Sequence, residues 1–360
     1  MYTAREKESI ALAHLEDQPT DETLSLGLSP SHQHYLIERH GTLDLDPIPS
    51  AAPDDPLNWP NWKKNTQMFM VVIHTFITTF SAAAIVSAFA PLAEVYGVWI
   101  EKTSYLCSVQ VHVAQFPMNS CIETDVLYYP FPLLFLGIFP LFWNPVSERY
   151  GRHPIFLIST LLMCTFNIAG GFCTSYGAQF ITRIFVAIFG CPPVGFGSAV
   201  VTELFFAHEW AQKIGWWTLL LILGVPLGPL VFDFVVQNFG FSWLFWILAC
   251  INFVQFLGYL FFFFGTETLY DRTSECPRFP PSGRLEFRRL NPTPFTLSGF
   301  LRPLHLYKRY KVIIPAVSYA LVLAYANTAI MVELPQLYIQ AYNFNTEQVG
   351  LQYVSILPSS

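Results

Sequence analysis

Long apolar runs separated by short polar breaks organise this chain. They cover 67–90, 154–171, 178–206, 215–236, 241–264 and 312–338, each near the roughly 20 apolar residues that carry a helix across a bilayer. Another opens at Val349. One further span assembles only from two pieces, 104–110 and 134–143, parted by 111–133 with His112, Pro117, Asn119, Glu123, Asp125, Pro130 and Pro132. Polar groups and prolines in that number are costly in hydrocarbon. Two explanations stand open: a non-family insertion, such as translated intron, or a long loop before a shifted second helix. Residues 1–55 are polar and acidic without a sustained period, which predicts a disordered tail. The Pro-rich stretch 265–311 reads as a loop between two sets of helices.

Composition and charge sharpen this picture. Residues are 53% hydrophobic and 12% charged, with mean hydropathy +0.40, against about 25% charged in soluble domains. The pattern predicts an all-α polytopic membrane protein. Arg149, Arg152 and Lys213 fall in breaks on one side, as do the nine Lys and Arg of 265–311, whereas the opposite breaks hold only Lys102. Cationic residues are retained in the cytoplasm, so that side and the N-terminus are expected there. Trp59 and Trp62 sit at interface depth before Lys63 and Lys64. The seven Cys are scattered without a C-x-x-C pair and read as small buried side chains, not a metal site.

The break 144–153, Asn-Pro-Val-Ser-Glu-Arg-Tyr-Gly-Arg-His, joins two apolar runs by a basic turn. Gly151 suits positive φ or close approach, and Glu148 can accept hydrogen bonds from Arg149, Arg152 or free helix amides. This turn resembles the loop signature between the second and third helices of major facilitator superfamily transporters. Glu148 stands for its Asp, and Arg149, Gly151 and Arg152 match. The Asp55-Pro-Leu-Asn-Trp59 stretch is similar to the preamble of fungal drug:proton antiporters of that superfamily. Arg183, in the fourth span, resembles the arginine that the family links to proton coupling; snorkelling to headgroups is the alternative.

Gly224-Val-Pro226-Leu-Gly228-Pro229 resembles the family's antiporter motif, with Phe232 and Asp233 departing from its closing Gly-Gly. Two glycines four apart let another helix approach, and each proline removes a backbone donor and bends the helix. Asp233 is expected to reach water. Glu203 is expected to pair with Arg149 or Arg152. His74, Tyr319 and Glu333 are candidate cavity residues, with packing for His74 and an interfacial place for Glu333 as alternatives.

The resemblance implies the N-terminal six-helix half of a major facilitator fold (56–264), a cytoplasmic central loop (265–311) and helix seven with a partial helix eight (312–360), short of the family's twelve helices. It implies a plasma-membrane, proton-coupled exporter of small organic or amphipathic compounds, working by alternating access. An inactive truncated or mis-spliced product is the second reading. Protons, a small-molecule substrate and membrane lipid are the expected partners; no cofactor, metal or nucleic acid is called for. His208-Glu209 with Gln212 in the second ligand place does not make a zinc-protease motif, so an enzyme is not expected.

Overall fold

The computed structural model describes residues 29–43, 45–52, 55–98, 103, 131–262, 268–270, 309–322, 338, 342 and 346–352. Among these, every regular element is helical. The first apolar run forms α2 (Asn61–Ala84), a 3-10 turn (Ile85–Ala88) and α3 (Phe89–Tyr96). The second helix is α4 (Phe131–Tyr150), followed by α5 (Arg152–Gly171). The fourth run divides at Cys191 into α6 (Tyr176–Gly190) and α7 (Pro192–Leu204), because Pro192 and Pro193 supply no backbone donors there. α8 (Ala207–Phe239) and α9 (Ser242–Phe262) follow. Short helices α10 (Tyr310–Val322) and α11 (Thr346–Gln352) represent the seventh and eighth runs.

Three expectations change. Residues 131–133, counted above with the interrupting stretch 111–133, already belong to α4; the remaining 111–130 lie outside the described residues. α8 starts eight residues before the expected span, at Ala207 instead of Gly215, because His208–Lys213 are polar yet good enough helix formers to extend the rod beyond its apolar part. The segment expected to be featureless contains α1 (Pro30–His40). Ser29 accepts from the His32 amide, proline occupies the first helical position, and the chain turns out at Gly41. Leu36 is the buried anchor of this helix.

Among the described residues, five helical stretches are long and apolar enough to span a membrane. Phe172, Phe239 and Phe261 are exposed on their flanks, as expected where acyl chains take the place of water. Packing sets α8 along α2, α9 along α5, α6 beside α5 and α7 against α2. Among the described residues, two apolar clusters pack the bundle. One gathers Met70, Phe156, Phe196, Val200, Leu204 and Tyr259 at what we call the basic end, where Arg152 and Lys64 also lie. The other gathers Phe80, Ile85, Leu92, Phe232, Leu244 and Phe245 at the far end.

Candidate functional site

The turn between α4 and α5 is one residue long. Gly151 has φ 89 and ψ 164, a left-handed φ that any side chain would strain, and it lets Arg152 open α5 directly. Arg152 folds back onto Glu203 of α7: its Nε donates to both carboxylate oxygens, at 3.1 and 2.9 Å, and Nη2 donates to Oε1 at 2.5 Å. Its guanidinium also stands 5.2 Å from the Phe196 ring centre. With 8% and 18% of the two side chains exposed, this is a bidentate, charge-assisted clamp joining α5 to α7. Glu148, expected as an acceptor in this turn, is exposed, while Arg149 is buried. The carboxylate that Arg152 meets comes from 51 residues further along the chain.

Beside this clamp, the pre-helical segment closes over the basic end. Asp55 accepts from the amides of Leu57 and Ser50 at 3.0 and 2.8 Å. Asn58, 2% exposed, donates to the Ser50 and Ala52 carbonyls at 2.7 and 2.9 Å. Its own carbonyl accepts from Arg39, and its Oδ1 meets His40 at 3.1 Å. Ser50 donates to the Tyr270 hydroxyl at 3.0 Å, and the Ala207 amide donates to the Asp46 carbonyl at 2.8 Å. Lys64, expected to hold the membrane edge, is buried and donates to the Leu57 carbonyl at 2.8 Å. Arg39, His40, Lys64, Phe206, His208 and Glu209 line a cavity of about 550 Å³ under this collar. The Asp-Pro-Leu-Asn-Trp stretch is thus the hub of a folded collar, not only a membrane anchor.

Arg183 in α6 is 6% exposed and stacks 4.7 Å from the Phe245 ring centre of α9, so it does not snorkel outward. The stack is a cation–π contact removed from water. In α8, a Cβ on Gly224 would meet Thr79 Oγ1, with the Phe76 carbonyl at 2.9 Å and the Phe80 amide at 3.0 Å. One on Gly228 would lie 2.9 Å from the Phe80 carbonyl and 3.0 Å from the Ala84 amide. The two glycines therefore admit the α2 backbone itself. Pro226 and Pro229 lie inside the same helix and are buried with them. Trp217 adds a polar tie, donating to Thr75 Oγ1 at 3.0 Å.

His74 faces the interior of the helix bundle, fully buried between Phe156 and Tyr259, with Nδ1 3.0 Å from the Tyr259 hydroxyl. This is the packed, hydrogen-bonded arrangement named above as the alternative for His74. Asp233, expected in water, is 3% exposed and hydrogen-bonded by Ser87; the 3-10 turn after α2 covers it. The Tyr319 side chain and Glu333 lie outside the described residues. Ser87 and Tyr259 escaped the reading of the sequence, because each matters through a partner remote in the chain.

A bundle of bilayer-length helices with polar and glycine-lined faces turned inward defines an integral, multi-pass membrane protein. The model of the Major Facilitator Superfamily matches residues 71–359, and the chain belongs to that family. It is 23% identical over 359 residues to the cycloheximide resistance protein of Candida maltosa, covering 95% of this chain and 59% of that protein. Against fluconazole resistance protein 1 of Saccharomyces cerevisiae the identity is 22% over 331 residues, with 88% and 56% covered. With the efflux pump vrtL of Penicillium aethiopicum it is 26%, over 54% of this chain and 34% of the pump. The chain thus spans well under two thirds of the length of these relatives. Among solved structures, a bacterial homologue of the human lysosomal transporter Spinster superposes with TM-score 0.55 at 10% identity, covering 82% of this chain and 59% of that one. The human organic anion transporter MFSD10 does so with TM-score 0.53 at 16% identity, covering 84% and 71%. These likenesses establish the fold.

Proposed function

We propose that the chain serves proton-coupled export of small organic or amphipathic compounds, with substrate held at mid-membrane and released by alternating access. The observation that carries this reading is the alignment of nearly the whole chain with a drug-resistance protein. The glycine-faced, proline-bearing α8 and the buried Arg183 support it, since rocking needs close, bendable helix contacts and an intramembrane charge is functional by default. In this reading the basic end faces the cytoplasm, as Arg149, Arg152 and Lys213 favour, and the protein resides in the plasma membrane as a carrier and not an enzyme. The Arg152–Glu203 clamp and its turn act as the gate on that side.

The test is efflux of a fluorescent cationic dye from yeast lacking its own drug pumps, with and without a protonophore. Export that stops when the gradient is collapsed supports the reading. Expression in the membrane with no protection against any tested drug, and no gradient-dependent efflux, contradicts it.

A further inference from the structure

We propose that the cavity under the collar is a binding site for a phosphate-bearing small molecule, held among Arg39, His40, Lys64 and His208. The proposal goes beyond the transport reading and does not rest on it. This cavity is built by the collar and the first turns of α2 and α8, not by the apolar faces of the bundle.

Three separate parts of the chain supply its walls. The last turn of α1 brings Arg39 and His40, the first turn of α2 brings Asn61 and Lys64, and the first turn of α8 brings His208 and Glu209. Phe206 is the surface they share. The His40 ring meets it edge-on with centres 5.4 Å apart, His208 stacks on it at 5.9 Å, and the Lys64 ammonium stands 5.2 Å from its centre. Lys64 is 4% exposed, so its ammonium is fixed in place and does not sweep through solvent. Each of the two strong cations is tied to the collar by a carbonyl: Arg39 donates to that of Asn58 and Lys64 to that of Leu57. A guanidinium and an ammonium carry more donors than one such bond uses, and the remainder are left for a ligand.

This gathering of donors selects an anion. The helices α2 and α8 both start at the cavity, and neither start is capped by a side chain, so their partial positive charge adds to that of the cations. Glu209 is the carboxylate of the lining and works against the same anion, while Asp55 is committed to the Leu57 and Ser50 amides. Donors arriving from three directions match the several oxygens of a phosphate better than the flat pair of a carboxylate, and Arg and Lys are its usual partners. With a volume of about 550 Å³, the cavity has the size of a small-molecule site and exceeds what bare phosphate fills. The phosphate is therefore carried on a polar body such as a phosphorylated sugar or polyol, either free in solution or as the headgroup of a lipid. An occupant ties α1 to the starts of α2 and α8 and holds the collar down. Phe206 follows three residues after Glu203, so the site and the clamp share one stretch of backbone.

The experiment uses the whole chain in phosphatidylcholine nanodiscs. In one arm radiolabelled inositol trisphosphate is added in solution; in the other, phosphatidylinositol bisphosphate, which bears the same headgroup, is built into the disc and its retention per chain is read by native mass spectrometry. Saturable binding of one probe per chain is expected in at least one arm. Binding in the soluble arm points to a free phosphorylated ligand, and binding in the lipid arm alone to a headgroup; either supports the site. Arg39→Gln and Lys64→Gln should each weaken binding about tenfold, the worth of one charge-assisted hydrogen bond. Lys311→Gln, exposed on α10, should leave it unchanged. Glu209→Gln should strengthen it several-fold by removing the opposing charge, a gain that keeps the test valid should Lys64→Gln fold poorly. No binding in either arm, equal weakening by Lys311→Gln and Arg39→Gln, or weaker binding in Glu209→Gln would each overturn the proposal. Binding is read without transport, so failure of the export reading leaves this result untouched.

Discussion

The basic end and the α2–α8 contact are joined by opposite means. At the basic end, specificity comes from polar groups: a bidentate Arg152–Glu203 clamp and a collar that converges on Asn58. Along α2 and α8, it comes from missing side chains, with Gly224 and Gly228 letting backbone meet backbone. In hydrocarbon there is no hydrophobic drive between helices, so close van der Waals contact must do the joining. At the water-facing end, polar groups can bind firmly and also exchange with solvent. A protein that has to change shape can release the polar contacts one hydrogen bond at a time, whereas the glycine contact moves as a rigid unit.

The largest effect should come from filling the glycine contact. Gly228→Leu puts four carbons where a Cβ already lies 2.9 Å from a carbonyl, and overpacking of this order costs about 3 kcal/mol. Thermal unfolding of the purified protein in detergent should drop sharply, with little folded material recovered. Arg152→Ala comes next: it strands Glu203 with 18% exposure, for about 2 kcal/mol, below the roughly 3–5 kcal/mol of fully buried pairs because water still reaches the carboxylate. The double variant Arg152→Ala with Glu203→Gln should recover most of that loss; failure to recover would mean the two do not act as a pair. Asn58→Ala removes the collar's hub for about 1 kcal/mol, read as faster proteolytic cleavage between Gly41 and Ala52 with the bundle's melting unchanged. Glu148→Gln, at an exposed position, should move stability by less than about 0.5 kcal/mol; a larger change would restore it to the latch.

Apolar runs located the spans because a bilayer allows few alternatives to a helix. The glycine pair was legible for the same reason, since small residues four apart have few other uses in a membrane helix. Glu203 was placed near the basic turn by its depth alone, although depth could not choose between Arg149 and Arg152. Other features needed contacts no local pattern contains. Asp233 looked exposed by position near a helix end, and Ser87, which covers it, lies 142 residues from the neighbouring Pro229. The side of α2 that carries His74 was undetermined, because an all-apolar helix has no polar face to orient it. In the segment before α2 the helix α1 was hidden by its low hydrophobicity, although Ser29, Pro30 and Gly41 spell its start and end. The break at Pro192-Pro193 was readable in principle, and an unbroken apolar run obscured it.

Cysteine cross-linking in native membranes tests the glycine contact most directly. Ala83 Cβ lies 3.1 Å from where a Gly228 Cβ would stand, near the separation that a disulfide spans. In a background with the natural cysteines removed, Ala83→Cys with Gly228→Cys should form an intramolecular disulfide on mild oxidation with copper phenanthroline. Absence of that bond, while Ala83→Cys paired with a cysteine on the lipid-facing side of α8 cross-links equally well, would contradict the arrangement of α2 and α8 described above.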